Sequence, residues 1–147
     1  MDPFVVFSRY FQAFEEAVAG GDWHGVAANL TPDVQYEVRN VPFACALRGR
    51  DAVVAAFQRS VGNFDQRMDG RSLDILSISR LSEHEVRAEL VSGYARDNEQ
   101  LTAPVSCNVQ CREGLVTSIV DTYDPVWIRG AMQWLERHAP DLDPTYA

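Results

Sequence analysis

Lysine is missing from this chain of 147 residues; all 13 basic residues are arginine. That excludes Schiff-base chemistry through a lysine amine. Positive charge is scarce overall: 21 acidic residues outweigh it and leave a formal net charge of −8. No basic cluster offsets the balance, so phosphate backbones and anionic membrane surfaces are disfavoured, and neither nucleic acid nor a membrane is an expected partner. Cysteine is also sparse. Cys45, Cys107 and Cys111 are odd in number and lack zinc-finger spacing, which fits reduced thiols in a cytoplasmic protein. No apolar run approaches the roughly 20 residues that span a bilayer. The opening MDPFVVFSRYFQ lacks the basic leader and apolar core of a signal peptide. There is no repeat, phosphate loop, GxGxxG or nucleophilic Ser/His/Asp set. His24, His84 and His138 include no i, i+4 pair, so no metal and no cofactor is expected.

Apolar residues make up 46% of the chain, enough for the core of one domain over residues 1–147. The segment FSRYFQAFEEAVAGGD places Phe7, Tyr10, Phe11, Phe14, Ala17 and Val18 at helical spacing, and Gly20-Gly21 ends it. Asp22 caps a short second helix, WHGVAANL, which Pro32 closes. VQYEVRN alternates as a half-buried strand with Val34, Tyr36 and Val38 on one face. PFACALRG is a short irregular or strand-like link. RDAVVAAFQRSVGNF returns to helical spacing through Val53, Val54, Phe57 and Val61. From residue 70 four long strands follow: RSLDILSISRL, HEVRAELVSGYAR, LTAPVSCNVQCR and LVTSIVDTY. A last helix, PVWIRGAMQWLERHA, has Asp124 as cap and Pro125 in its first turn. Helices followed by an antiparallel run make an α+β fold with helices on one sheet face.

Asp121 is the anomaly, a carboxylate inside an apolar strand. A two-residue turn at Glu113-Gly114 would put it opposite Ser106. A three-residue loop, Arg112-Glu113-Gly114, would put it opposite Val105. The second is favoured, because glutamate suits φ > 0 poorly and because this register separates apolar from polar side chains. Asp121 then points toward the helices with Val105, Cys107, Ile119 and Tyr123, while Val116 and Val120 face out. Desolvation raises the pKa of such a group and makes it a candidate proton shuttle, with Tyr36 and Tyr123 as hydroxyl partners. Satisfaction by a backbone amide or by Arg39, with no chemistry, stays open. Cys107 reads as a small core hydrophobe rather than a nucleophile. Trp23, Phe57, Leu90 and Tyr94 read as core or pocket wall, and Ser92 as a minor polar contact.

GDWHGVAANLTPDVQYE, LRGRDAVVAAF and EGLVTSIVDTYDP, in that order and spacing, resemble the nuclear transport factor 2-like (NTF2-like) superfamily. That group includes SnoaL-like polyketide cyclases, ketosteroid isomerases and limonene-epoxide hydrolase. The resemblance covers roughly residues 8–125 and implies a cone of helices and curved sheet around a pocket. It places Asp121, within VDTYD, on the acid position and Tyr36 on a pocket tyrosine. It further implies a pocket lined from Trp23, Val38, Phe57, Leu90, Ser92, Tyr94, Val105, Cys107, Ile119 and Tyr123. The hydrolases also need a pocket asparagine and an Arg-x-Asp; here Val38, Ala88 and Leu90 fall on those positions, so that mechanism is not expected. Steroid-isomerase chemistry needs a base and two acid donors, and no second donor is identified. The expected function is a cofactor-independent isomerase, cyclase or dehydratase acting on a small, mostly apolar carbonyl compound, with Asp121 and Tyr36 as catalytic residues. The alternatives are a non-catalytic hydrophobic-ligand binder and a dimerisation module. A homodimer is expected through the outer sheet surface, with Val116, Val120, Leu76 and Ile78 contributing. The helix and tail over 126–147 are expected near the pocket mouth or in a dimer contact.

Overall fold

The computed structural model describes residues 1–146. Helices α1 (Pro3–Gly20) and α2 (His24–Ala28) come first, then strands β1 (Leu30–Arg39) and β2 (Cys45–Arg48) and helix α3 (Arg50–Asn63). Strands β3 (Gly70–Ser82), β4 (Glu85–Arg96), β5 (Glu99–Arg112) and β6 (Leu115–Tyr123) follow, and helix α4 (Pro125–His138) comes last. The six strands form one curved sheet in the order β2-β1-β6-β5-β4-β3. β1 runs parallel to β6; the other neighbours are antiparallel. This is the α+β fold that the order of elements predicted, in the cone shape that the resemblance implied. Among the described residues no helix is long and apolar enough to cross a membrane.

Local chemistry sets the helix ends. α1 starts because Asp2 accepts the Phe4 amide at 2.9 Å and Pro3 fills the first turn, where a missing N–H costs nothing. It stops at Gly21, whose φ of +78° lets its amide reach the Ala17 carbonyl. Val6, Phe7, Tyr10 and Ala17 are buried along its inner stripe. Arg50 opens α3 and donates twice to the Leu30 carbonyl, at 3.1 and 2.8 Å. Those bonds tie α3 to β1 across the start of the sheet. Pro32 lies within β1 rather than closing α2, and of the two forms expected for the link over 42–49 it takes the strand-like one, the paired strand β2.

The hairpins correct the predicted register. Arg112 pairs with Leu115, so the turn is the two-residue Glu113-Gly114, with φ of +53° and +80°. Glu113 takes the left-handed conformation despite its side chain. The register then shifts by one: Cys111 faces Val116, but Gln110 faces Ser118, which leaves Thr117 as an extra residue in β6. Asp121 is therefore opposite Cys107, not Val105 or Ser106. Beyond the bulge Ile119, Asp121 and Tyr123 lie across from Val109, Cys107 and Val105 as one inward row. Before the bulge the inward residue is Val116, fully buried and so unable to join an outer contact as predicted. Leu76 is 68% exposed on β3, and Ile78 is half-buried against the core.

α4 is capped by Asp124, which accepts the Val126 amide at 2.8 Å. Trp127 donates its indole N–H to the Thr102 carbonyl at 2.7 Å and stacks on Tyr123 at 5.6 Å. These contacts seat α4 against β5 and the end of β6.

The Glu113 conformation carries a strain that asparagine relieves, since asparagine tolerates the left-handed region better. Glu113→Asn is expected to raise unfolding stability by about 1 kcal/mol, read as a higher denaturant midpoint with an unchanged slope.

Candidate active site

Between α1, α3 and the inner face of the sheet lies a cavity of about 110 Å³. β6 brings Asp121 to it, and β1, one strand over, brings Tyr36. The Tyr36 hydroxyl donates to Asp121 Oδ2 at 3.1 Å. This bond joins residues 85 positions apart in the chain. Parallel pairing makes it possible: Val38 is the direct neighbour of Asp121, so the phenol two residues back reaches forward along the strand.

Burial pushes the Asp121 carboxyl above its ordinary range, and hydrogen bonds from Cys107 and Tyr36 oppose the rise. The second partner is thus the Cys107 thiol, directly across the ladder, rather than Tyr123. Burial first, and then the neighbouring Asp121, push the Cys107 thiol well up. It stays an S–H donor and not a thiolate, so it lacks the character of a nucleophile. Arg39, the other predicted partner, points away and forms a two-bond pair with Glu37 at 2.7 and 2.9 Å.

The remaining predicted residues divide into two groups. Phe57, Leu90, Ser92, Tyr94, Val105, Cys107 and Tyr123 line the cavity with Asp121 and Tyr36. Trp23, Val38 and Ile119 do not; all three are buried core. Trp23 sits behind the wall, edge-on to Phe14 at 5.4 Å and 6.2 Å from Phe57. Val38 and Ile119 face inward, but the cavity does not reach them. Ala88 and Leu90 are buried and apolar, and Ala88 is the direct neighbour of Cys107 in the row that leads to Asp121.

The cavity is more polar than the sequence suggested. All five tyrosines of the chain line it: Tyr10, Tyr36, Tyr94, Tyr123 and Tyr146. Burial raises the pKa of each, so all five remain neutral phenols. Tyr10 was legible only as part of a helical core stripe. Tyr146 lies beyond the last periodic segment, where no pattern marks it.

At the far wall Arg71 enters from β3. It grips Glu15 with two bonds, at 3.0 and 3.1 Å, and holds Asp65 at 2.7 Å. Burial opposes the guanidinium charge, but those carboxylates outweigh it and keep Arg71 protonated. Asp65 is raised by burial, against the pull of Arg71. Arg71 thus brings no free positive charge to the cavity, because two acids already claim it. Nothing in the sequence marked this triad, since Arg71 reads as the polar start of a strand.

Comparison with known proteins places these features. Residues 9–119 match the SnoaL-like domain family. Among solved structures, an NTF2-like protein from Burkholderia thailandensis is similar at a TM-score of 0.69 and 16% identity, covering 90% of this chain and 98% of that one. An epoxide hydrolase of the limonene-epoxide type from M. tuberculosis is similar at 0.62 and 22%, covering 85% of this chain and 83% of that one. A protein with a ketosteroid isomerase-like fold from Catenulispora acidiphila is similar at 0.61 and 18%, covering 78% and 85%. At these identities the likeness is one of fold. No curated protein matches the sequence.

Two outcomes follow from the geometry. The folded pKa of Asp121 is raised above 3.8, so in the pH interval between the two pKa values the native state holds a proton that the unfolded chain has released. Stability contributed by the neutral acid is lost as pH rises from near 4 through the folded pKa. Asp121→Asn cannot ionise. Its Tm relative to wild type is expected to climb as pH rises from 4 to 7, as measured by thermal melts across pH. Arg71→Leu leaves Asp65 and Glu15 facing each other without their cation and is expected to destabilise by about 3 kcal/mol. Denaturant unfolding checks this.

Proposed function

The chain belongs to the SnoaL-like domain family, and from that premise we propose that it is a cofactor-independent enzyme moving a proton on a small carbonyl compound. One observation carries the reading: Asp121 is desolvated, faces a cavity and is hydrogen-bonded by Tyr36 at 3.1 Å. An acid whose pKa has moved toward neutrality takes and returns protons near physiological pH more readily than an ordinary aspartate.

The step is simple. The Asp121 carboxylate takes a proton from the carbon next to the carbonyl. The C–H electron pair becomes a C=C bond, and the carbonyl π pair moves onto oxygen. Tyr36 donates to that oxygen as charge develops. Returning the proton to another carbon isomerises the substrate; returning it to the same carbon only exchanges hydrogen. Ring closure or loss of water proceeds from the same enolate. Epoxide hydrolysis through an Asp-Arg-Asp set is not part of the proposal, because Ala88 and Leu90 stand at two of the positions that chemistry needs.

Binding without chemistry keeps one observation in its favour. A cavity of about 110 Å³ ringed by neutral phenols would hold a small ligand firmly with no proton moved. Hydrogen exchange separates the two readings. A panel of small ketones is incubated with the protein in D₂O, and deuterium at the carbons flanking the carbonyl is followed by NMR. Wild type is expected to catalyse exchange in at least one ketone, and Asp121→Asn to slow it roughly 10²–10⁴-fold. Equal rates in the two proteins would exclude Asp121 as the proton carrier.

A further inference from the structure

The site as described has one base and one donor. A developing enolate oxygen offers more than one lone pair, and a second donor aimed at it would add to its stabilisation. The segment after α4 supplies a candidate. Residues 139–146 fold back onto the domain, against Phe64 and beside Arg59, Arg67 and Arg96. Ala139 and Leu142 are buried against Phe64. Arg96 holds Asp141 with two bonds, at 2.8 and 3.0 Å, and Arg67 adds a third at 3.3 Å. Arg59 holds Asp143 at 3.2 Å. Asp143 in turn accepts the Thr145 amide at 2.9 Å and its hydroxyl at 2.6 Å.

Three arginines from three separate places in the fold thus fix a segment of eight residues. What that segment delivers is Tyr146. Its ring stands edge-on to Tyr36 at 5.5 Å and tilts against Phe43 at 6.4 Å. It forms part of the wall between the main cavity and a second one of about 40 Å³ under α4. Burial and the nearby Asp121 carboxyl raise its phenol, and side-chain hydrogen bonding to Tyr36 and Ser60 works against that rise. The other tyrosines fit the role less well. Tyr10 and Tyr123 line the cavity and feel the charge of Asp121, but their rings pack on Phe14, Phe43 and Trp127, whereas Tyr146 packs on Tyr36 itself. Tyr94 pairs with Ser92 and lies nearer Asp65 and Arg71.

We propose that Tyr146, set in place by the arginine-held tail, is the second hydroxyl donor of the site and acts beside Tyr36 on an oxyanion bound over Asp121. The proposal rests on the enolate reading above and deepens it. The ligand class is a small molecule whose oxygen carries or develops negative charge next to a flat carbon framework. Tyr36 turns from Asp121 to that oxygen once the acid has taken its proton, and Tyr146 completes the pair. The tail is then part of the catalytic apparatus, and the ion pairs at Asp141 and Asp143 position it.

4-Nitrophenol tests this without needing the natural substrate, because its phenolate absorbs visible light and the neutral phenol does not. The protein used is the full chain carrying Asp121→Asn, whose uncharged amide mimics the acid after proton uptake. Nitrobenzene, similar in shape but without the hydroxyl, is the companion ligand. The expected result is that Asp121→Asn protein binds nitrophenol as the phenolate. Adding Tyr146→Phe should weaken that binding roughly 10- to 100-fold, the worth of one hydrogen bond to a charged oxygen, while nitrobenzene affinity stays level. Three results would overturn the proposal: no phenolate binding by Asp121→Asn protein, equal phenolate affinity with and without the Tyr146 hydroxyl, or an equal loss for both ligands, which would make Tyr146 a wall. Asp121-dependent deuterium exchange is read separately, so Tyr146 can fail while Asp121 stands, and the reverse.

Discussion

The hydrogen bond from Tyr36 to Asp121 spans the parallel seam between β1 and β6, and the inner architecture is arranged around it. A carboxyl group among Val105, Val38 and Ile119 is tolerable only with donors close by. The phenol provides one and the Cys107 thiol the other. Both depend on register: Tyr36 reaches along its strand from the neighbour of Ile119, and Cys107 lies directly opposite. Had either strand slipped by one residue, the acid would have met a side chain of the wrong face and solvent in place of its partners.

This arrangement also accounts for the character of the cavity. An acid that takes up and gives back a proton needs a surrounding polar enough to bond both of its forms and dry enough to hold its pKa above the ordinary carboxylate range. Five phenols meet that description, since each offers a hydroxyl on a large apolar ring. Arg71, the one cation lining the cavity among the described residues, is held by Glu15 and Asp65, so its field does not draw Asp121 toward the charged form. The Arg71 cluster and the Tyr36–Asp121 pair both line this one small space, and Tyr94 lines it with them.

Much of the cone was legible because it rests on short-range chemistry. The α1 stripe, the Gly21 stop, the alternation through Val34, Tyr36 and Val38, and the Asp124 cap are local patterns with local causes. The inward direction of Asp121 was also legible, from the separation of apolar and polar residues across β5 and β6. Its cross-strand partner was not. Glu113 adopts a conformation that propensity argues against, and Thr117 restores the phase by standing out of the ladder. Two local irregularities that compensate cannot be seen from either one alone. Val116, placed outside by the regular pattern, is inside for that reason. Trp23, Val38 and Ile119 have the right residue types and the right face, yet a pattern does not show where packing ends and empty space begins. Asp65, Arg71 and Tyr146 come from a turn, a strand start and a tail, whose positions only tertiary contacts decide.

The 85-residue separation between Tyr36 and Asp121 has a bearing on how the molecule comes into being. β1 emerges from the ribosome early, but the strand it must lie beside is among the last to appear. Pairing across so long a loop carries a large closure entropy and forms late. Until then the inner edge of β1 is unpaired, and the apolar side chains that will surround the acid have nothing to pack on. An incomplete chain therefore lacks both the Tyr36–Asp121 bond and the cavity wall beside it, and the two arrive together with the closing of the sheet.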